Sequence, residues 1–173
     1  MPTENLRFLH LPNSCPKEVE IVAQDTKTGK ILGQVQAIAE IEKGYSGEKI
    51  PQGYINQEAS TEYRKIAKSH IYIEDIFVEK NARNRKIGTK LIREVVRESK
   101  LRDFNGRVML VAYNAYEALP HVFYGKLGFV SGDKFTNTQI KDAIRTKSTI
   151  KDAKQTLMAL TSGGIKKLLS IIR

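Results

Sequence analysis

The chain has one cysteine, Cys15, and only three histidines, His10, His70 and His121. A single thiol excludes an internal disulfide framework and a zinc site built on cysteines. The histidine spacing offers no carboxylate-assisted metal centre either, so no metal is expected. No apolar run reaches the about eighteen residues that a membrane-spanning helix needs. The opening MPTENLRFLHLP lacks the basic-then-apolar order of a secretory leader. A reduced, cytoplasmic protein is the expectation. Internal repeats and low-complexity runs are missing as well.

What is present is the material of one globular domain. The 173 residues are 40% apolar and 28% charged, enough for a single sizeable core. The net charge of +10 is uneven: residues 1–79 carry −3, 80–107 carry +7, 108–140 are balanced, and 141–173 carry +6. Two basic blocks favour an anionic partner, whether a phosphorylated cofactor, nucleic acid or an anionic membrane surface. No aromatic residues are interleaved with the basic ones in the manner of a base-stacking surface.

Periodicity orders the elements. Leu6 to Leu9 reads as a short strand. Val19–Ala23 and Ile31–Ile41 form a hairpin around Asp25–Gly29. Residues 43–56, with three glycines and a proline, read as loop, and Gln57–Lys68 as a short polar helix. His70–Val78 is the strongest strand. Ile87, Leu91, Ile92, Val95 and Val96 share one face of a helix running to Lys100. Arg107–Tyr113 is a buried strand, and Ala115–Leu127 a helix interrupted at Pro120. Phe129–Phe135 and Gln155–Leu160 read as strands around a polar segment, 136–153, with at least a hint of helix. A short amphipathic helix follows Gly163 and Gly164. These elements make one mixed-sheet α/β domain.

Two junctions carry chemistry. After the 70–78 strand come Arg83, Arg85 and Lys86, and then Gly88 in the first turn of a helix. Free amides and the positive dipole end make this a cradle for an anion, and Gly88 removes the side chain that would hold a phosphate away. The second junction is Phe123-Tyr124-Gly-Lys-Leu-Gly128-Phe129. Core packing and a C-cap glycine explain Phe123, Gly128 and Phe129, whereas a buried Tyr124 needs a use for its hydroxyl.

Together, Arg83-Asn-Arg-Lys86-Ile-Gly88 and the Phe123–Phe129 tract resemble the GNAT N-acetyltransferase superfamily. Its phosphate motif is Arg/Gln-x-x-Gly-x-Gly/Ala after the fourth strand, and its later signature is Phe/Leu-Tyr-x-x-x-Gly-Phe. The resemblance covers residues 70–130 most closely. It implies a single GNAT-like domain over 1–173, an α/β fold of α+β type whose mixed sheet is flanked by helices and has splayed central strands. Inserts would lie at 43–69 and 136–153, and an amphipathic helix at 165–173. Lys86 stands at the motif's middle glycine, and Asn84 at another position that is often glycine. Only about nine residues join the first strand to the hairpin, where the family usually has two helices over the acceptor site. The acceptor pocket is then open, or is built by the two inserts.

The resemblance further implies acetyl-CoA as acyl donor. Ile76, Phe77 and Val78 would line its pantetheine arm, while Arg83, Arg85, Lys86, Ile87, Gly88 and Thr89 would hold its pyrophosphate. Asn114 is similar in place to a family asparagine that contacts the cofactor. A backbone N–H near Ile76 is the implied oxyanion donor, and Tyr124 the implied acid for the departing thiolate. Alternation along the strand puts Tyr72, Glu74 and Ile76 on one face, making Glu74 the candidate base, with His70 and His121 as alternatives. The acceptor is an amine on a small molecule, a protein or an aminoacyl-RNA. A rival reading is an RNA- or ribosome-binding protein that keeps the fold without catalysis and contacts nucleic acid through its basic tail. Ile165–Arg173 could instead dock on a membrane surface, a partner or a second subunit of a homodimer.

Overall fold

Alternating apolar and polar residues over 18–40 build the first hairpin of the computed structural model, which describes residues 5–40, 69–114 and 119–171. Strands β1 (Leu6–Leu11), β2 (Glu18–Asp25) and β3 (Ile31–Glu40) run antiparallel. The β2–β3 turn is tied by the Asp25 carboxylate, which accepts from the amides of Lys27 and Thr28 at 2.8 and 2.9 Å. Strand β4 (His70–Val78) pairs antiparallel with β3. Helix α1 (Ile87–Leu101) then crosses to β5 (Val108–Ala112), which lies parallel to β4. Helix α2 (Pro120–Leu127), β6 (Phe129–Ser131), α3 (Lys134–Arg145), β7 (Thr156–Leu160) and α4 (Ser162–Leu169) complete the chain. The seven strands lie in the order β1-β2-β3-β4-β5-β7-β6. This is the expected mixed sheet flanked by helices.

Hydrophobic burial fixes the helices on it. Ile87, Leu91, Ile92, Val95 and Val96 are all at most 1% exposed, as their spacing predicts. Tyr124 and Leu127 of α2, Ile140 of α3 and Leu168 of α4 join the same core cluster as the α1 face. Helix α1 lies close over β3 at Gly33, where a Cβ would come within 3.0 Å of both Ile87 Cγ2 and the Phe77 carbonyl oxygen. No helix among the described residues is long and apolar enough to cross a membrane.

Several expectations change in detail. The strand starting at Phe129 stops at Ser131, because the Asp133 side chain caps α3 and draws Phe135 into that helix. In the polar 136–153 segment the hinted helix runs through Arg145, and the rest is turn and irregular backbone. Pro120 takes the first position of α2, where a proline gives up no helical hydrogen bond, and the part of the expected helix at 115–118 lies outside the described residues. Gly163 and Gly164 lie inside α4, which begins at a Thr161 cap. A Cβ on Gly164 would meet the Leu127 carbonyl oxygen at 2.7 Å, so close backbone contact explains that glycine. Ile165, Leu169 and Ile171, each half-buried, pack against the core around a fully buried Leu168, while residues 172–173 of the expected docking helix lie outside the described residues. The expected loop at 43–56 and helix at 57–68 lie outside the described residues.

Candidate active site

One irregularity in β4 shapes the site. Ala37 sits opposite Ile73 and Gln36 opposite Asp75, which leaves Glu74 as an extra residue in a β-bulge. Directly opposed residues share a face. Ile73 and Ile76, opposite Ala37 and Val35, therefore both face the core, while Tyr72, Asp75 and Phe77, opposite Ile38, Gln36 and Gln34, share the other side. The strict alternation expected for residues 70–78 fails at this point. Ile76 does not share a face with Tyr72, and Glu74 belongs to neither row.

The bulge also separates two strands. Strand β5 pairs with β4 only from Ile71↔Val108 to Ile73↔Leu110, whereas β3 stays paired with β4 as far as Val78. Among the described strands, the β5-facing edge of β4 beyond Ile73 has no ladder partner. A cleft of about 180 Å³ occupies the gap, lined by residues 73–76 of β4, by Leu110, Val111 and Tyr113, and by Pro120 and Tyr124 of α2.

Tyr124 stands in this wall, 7% exposed, its ring centroid 5.3 Å from that of Phe123 and 5.7 Å from that of Phe129. Burial pushes its pKa up to about 12, with the charges of Asp75 and Tyr113 adding to the effect. Burial also raises Tyr72, helped by Glu74. Glu74 and Asp75 are exposed at the cleft. The two alternative bases do not line it. His70 is buried at the other end of β4, opposite Glu40. His121 is buried in the first turn of α2, its Nε2 2.8 Å from the Lys154 carbonyl oxygen, and burial lowers its pKa. Asn114 donates from Nδ2 to the carbonyls of Lys151 and Ile150 at 2.8 and 3.4 Å, bracing the approach to β7.

The second sequence motif sits at the start of α1. No side chain caps this helix and its first turn has no acidic residue. Asn84 and Lys86 are left-handed, with φ of 67° and 58°. Lys86 thus holds the conformation that glycine adopts freely, which accounts for the glycine that the motif prefers there. Its side chain and that of Arg83 are exposed, and Arg83 Nε lies 3.4 Å from the Val78 carbonyl oxygen. Arg85 is half-buried, close enough to the β2–β3 turn to help lower the Asp25 pKa, which the Thr28 amide depresses most. Ile87 is buried, and Gly88 and Thr89 are half-buried. A Cβ on Gly88 would stand 3.4 Å from Phe123 Cζ and 3.8 Å from Val78 Cγ2. The two motifs, 35 positions apart in the chain, therefore touch. Phe77 is 51% exposed, and Val78 is half-buried.

Sequence reasoning missed Tyr113 and Pro120 as cleft residues. The first could have been found as an aromatic at a strand end and the second as a helix-starting proline. The adjacent acids Glu74 and Asp75 are uncommon in a central strand, but side-chain alternation alone does not locate an inserted residue. Among the described residues, no group of three or more His, Cys, Asp or Glu side chains could hold a metal ion.

Comparison with known proteins agrees with this fold. The family model described as acetyltransferase (GNAT) domain matches residues 18–131. No curated protein sequence matches the chain. Among solved structures, the IAA acetyltransferase from Bacillus cereus ATCC 14579 superposes with a TM-score of 0.52 at 14% identity, over 90% of this chain and 99% of its own. A protein of Bacillus anthracis str. Ames described as a streptothricin acetyltransferase, in complex with acetyl coenzyme A, gives 0.52 at 18% identity, over 91% and 84%. At such identities the likeness is one of fold.

Proposed function

The chain belongs to the GNAT acetyltransferase family, and from that premise we propose that it moves an acetyl group from acetyl-CoA to a primary amine by direct attack, as one domain spanning 1–173. The observation that carries the reading is the unpaired edge of β4 beyond the bulge, with Tyr124 in the wall opposite. An extended amide-bearing arm adds to such an edge as a strand would, so Ile76, Phe77 and Val78 are its backbone partners. The uncapped start of α1 suits the pyrophosphate. Gly88 leaves the close approach open, the amides of Ile87, Gly88 and Thr89 supply donors, and Arg83, Arg85 and Lys86 supply charge. Asn114 is the further cofactor contact in this reading, its side chain held by Nδ2 bonds to the carbonyls of Lys151 and Ile150. Acetyl-CoA and a free thiol at Cys15 both fit a reducing cytoplasm.

The chemistry follows from holding two reactants together and handling two charges. Backbone N–H groups near Ile76 are the donors for charge developing on the carbonyl oxygen. Glu74, or a water it holds, takes the proton of the amine. Tyr124 gives a proton to the departing thiolate. With a pKa of about 12 the phenol is fully protonated at neutral pH. Against a free thiol near 8.5 the transfer is uphill by roughly 5 kcal/mol. Burial in the same cleft raises the thiol pKa too and narrows that gap.

The test is Tyr124→Phe, which keeps the ring and its contacts with Phe123 and Phe129. The expected loss is about 10² to 10⁴ in kcat, with KM and acetyl-CoA affinity nearly unchanged. A kcat within about threefold of wild type, far short of that range, would make Tyr124 a core aromatic and leave the thiolate to another acid.

A further inference from the structure

We infer that His121 is a positioning residue for Tyr124: its ring, buried outside the cleft, fixes the pose of α2 and so the place of the phenol. The inference rests on the reading above, in which Tyr124 is the acid, and gives a task to a buried histidine that the chemistry does not use.

Helix α2 does not hold its own pose. It has eight residues, fewer than the about twelve that make a free helix even marginally stable. Its N-cap, Leu119, offers no capping side chain. Ties to other elements must therefore fix it, and they come from the two flanks of β7. Beyond β7, Thr161 sends its amide and its hydroxyl to the Gly128 carbonyl oxygen at 3.0 and 2.8 Å. Lys167 Nζ donates to the Lys126 carbonyl oxygen at 2.6 Å. Before β7, the Lys154 carbonyl oxygen lies 2.8 Å from His121 Nε2 in the first turn of α2. One set holds the end of the helix and the other its start. Tyr124 stands between them, about one turn after His121.

The acceptor of the His121 bond is itself fixed. The Lys154 carbonyl oxygen also accepts from Thr156 Oγ1 at 2.7 Å, and Thr156 opens β7 opposite Ala112 of β5. Ala112 directly precedes Tyr113, a residue of the cleft wall. The bond thus sets β5 and α2, two walls of the cleft, relative to each other. The histidine makes it at a cost. Its ring is 1% exposed, and burial lowers its pKa, so it is neutral near pH 7. A carbonyl oxygen only accepts, so Nε2 carries the ring hydrogen. Nδ1 is then a buried acceptor with no partner, a penalty that an apolar side chain would avoid. What the ring supplies in return is the Nε2 bond.

The experiment compares His121→Phe, which keeps a ring but no donor, with His121→Gln, whose carboxamide nitrogen replaces Nε2. His121→Phe should lower kcat roughly 10- to 100-fold, because a small misplacement of a catalytic group weighs heavily. Acetyl-CoA affinity should stay within about twofold of wild type. His121→Gln should bring kcat back to within about threefold of wild type, which a proton-carrying role for the ring would not allow. On a Tyr124→Phe background, His121→Phe should cost less than about twofold more, since the two residues act on one step. Amide hydrogen exchange over residues 120–127 should quicken in His121→Phe and return to the wild-type rate in His121→Gln. Asp133→Ala, a destabilised control at the start of α3, should keep its kcat. With Tyr124→Phe slow as proposed, four results would overturn the inference. They are a folded His121→Phe within about threefold of wild type, an equally slow His121→Gln, a full further loss on Tyr124→Phe, and an equal loss in Asp133→Ala. If Tyr124→Phe keeps its rate, the acid reading falls and exchange alone decides. Faster exchange that glutamine reverses then upholds the pose set by His121, and unchanged exchange overturns it. Should His121→Phe not fold, Thr156→Val frees the same carbonyl from its other donor and is read in its place, with Thr156→Ser as the conservative variant.

Discussion

Helices α1 and α3 are both amphipathic and both bury an apolar stripe on the same core, yet they begin in opposite ways. Helix α3 satisfies its own first turn. Asp133 accepts from the amides of Phe135 and Thr136 at 3.4 and 2.9 Å, and from the Thr136 hydroxyl. Helix α1 starts at a left-handed Lys86 with no capping side chain, and Arg83 and Lys86 stand exposed beside it. A cap is worth about 1 kcal/mol, so a helix that goes without one loses stability that an aspartate there would supply. The difference supports the proposal that α1 takes an anion from outside, whereas α3 caps itself.

The comparison breaks most sharply at Gly88. Gly88→Glu puts a carboxylate where the pyrophosphate is proposed to sit, and acetyl-CoA binding should disappear. In wild type, acetyl-CoA at a hundredfold excess over Kd should stabilise the fold by about 2.7 kcal/mol, and in the variant by none. The ligand-free variant should be at least as stable as wild type. Glutamate forms helix better than glycine, favours a helix N-terminus, and its Cβ meets Phe123 at an ordinary 3.4 Å. Thermal melts with and without acetyl-CoA read both numbers. A retained ligand shift would move the anion site elsewhere.

This open helix start was legible in the sequence, and so was most of the fold, for one reason. The 70–78 strand, the 87–101 helix and the hairpin announce themselves through local period, and Gly88 and Gly128 through their spacing from other motif residues. Features set by tertiary contact were not legible. Strand alternation cannot reveal an inserted residue, so Glu74 and Ile76 were put on one face where the bulge separates them. The Asp133 cap went unread because Phe129, Val130 and Phe135 suggest one strand, and only the cap, inside the polar tract 131–134 between them, decides that the chain turns. Gly125 is an unmarked position within the Phe123–Phe129 tract, although a Cβ there would overlap Ile140 on α3. Partners far along the chain decide such positions.

Helix α3 supplies the complementary test. Asp133→Ala removes the cap and should cost about 1 kcal/mol, seen as a lower urea midpoint at an unchanged slope. Acetyl-CoA affinity should not move, because α3 starts away from the cleft. The Thr136 hydroxyl, followed by its amide, holds the Asp133 pKa below the ordinary carboxylate value. The cap's contribution is therefore complete above the unfolded value, near pH 4, and fades as pH falls through the lower folded value. Wild type and variant should converge in acid. A constant gap down to pH 2 would mean that the carboxylate charge is not what caps the helix.

The smallest effect belongs to the acidic residues that α1 does have, which sit in its second half. Glu94 and Glu98 meet His10 of the edge strand β1 at 3.9 and 3.5 Å. Contact with Glu94 raises the imidazole pKa, partial burial opposes it, and Glu98 adds to the rise. A raised folded pKa means that the ion pair stabilises fully below the unfolded histidine value of about 6.5, and that this contribution is lost as pH climbs through the folded value. His10 is 42% exposed, so solvent screening limits the gain to about half a kcal/mol. His10→Gln should therefore be less stable than wild type at pH 5.5, and the gap should close by pH 8.5. This window lies well above that of Asp133, so the two titrations separate cleanly. Salt should erase the His10 effect and spare the Asp133 cap, because an exposed ion pair is screened whereas a cap also rests on short backbone hydrogen bonds. A gap that stays constant from pH 5.5 to 8.5 would assign His10 a packing role on α1, with no charge in it.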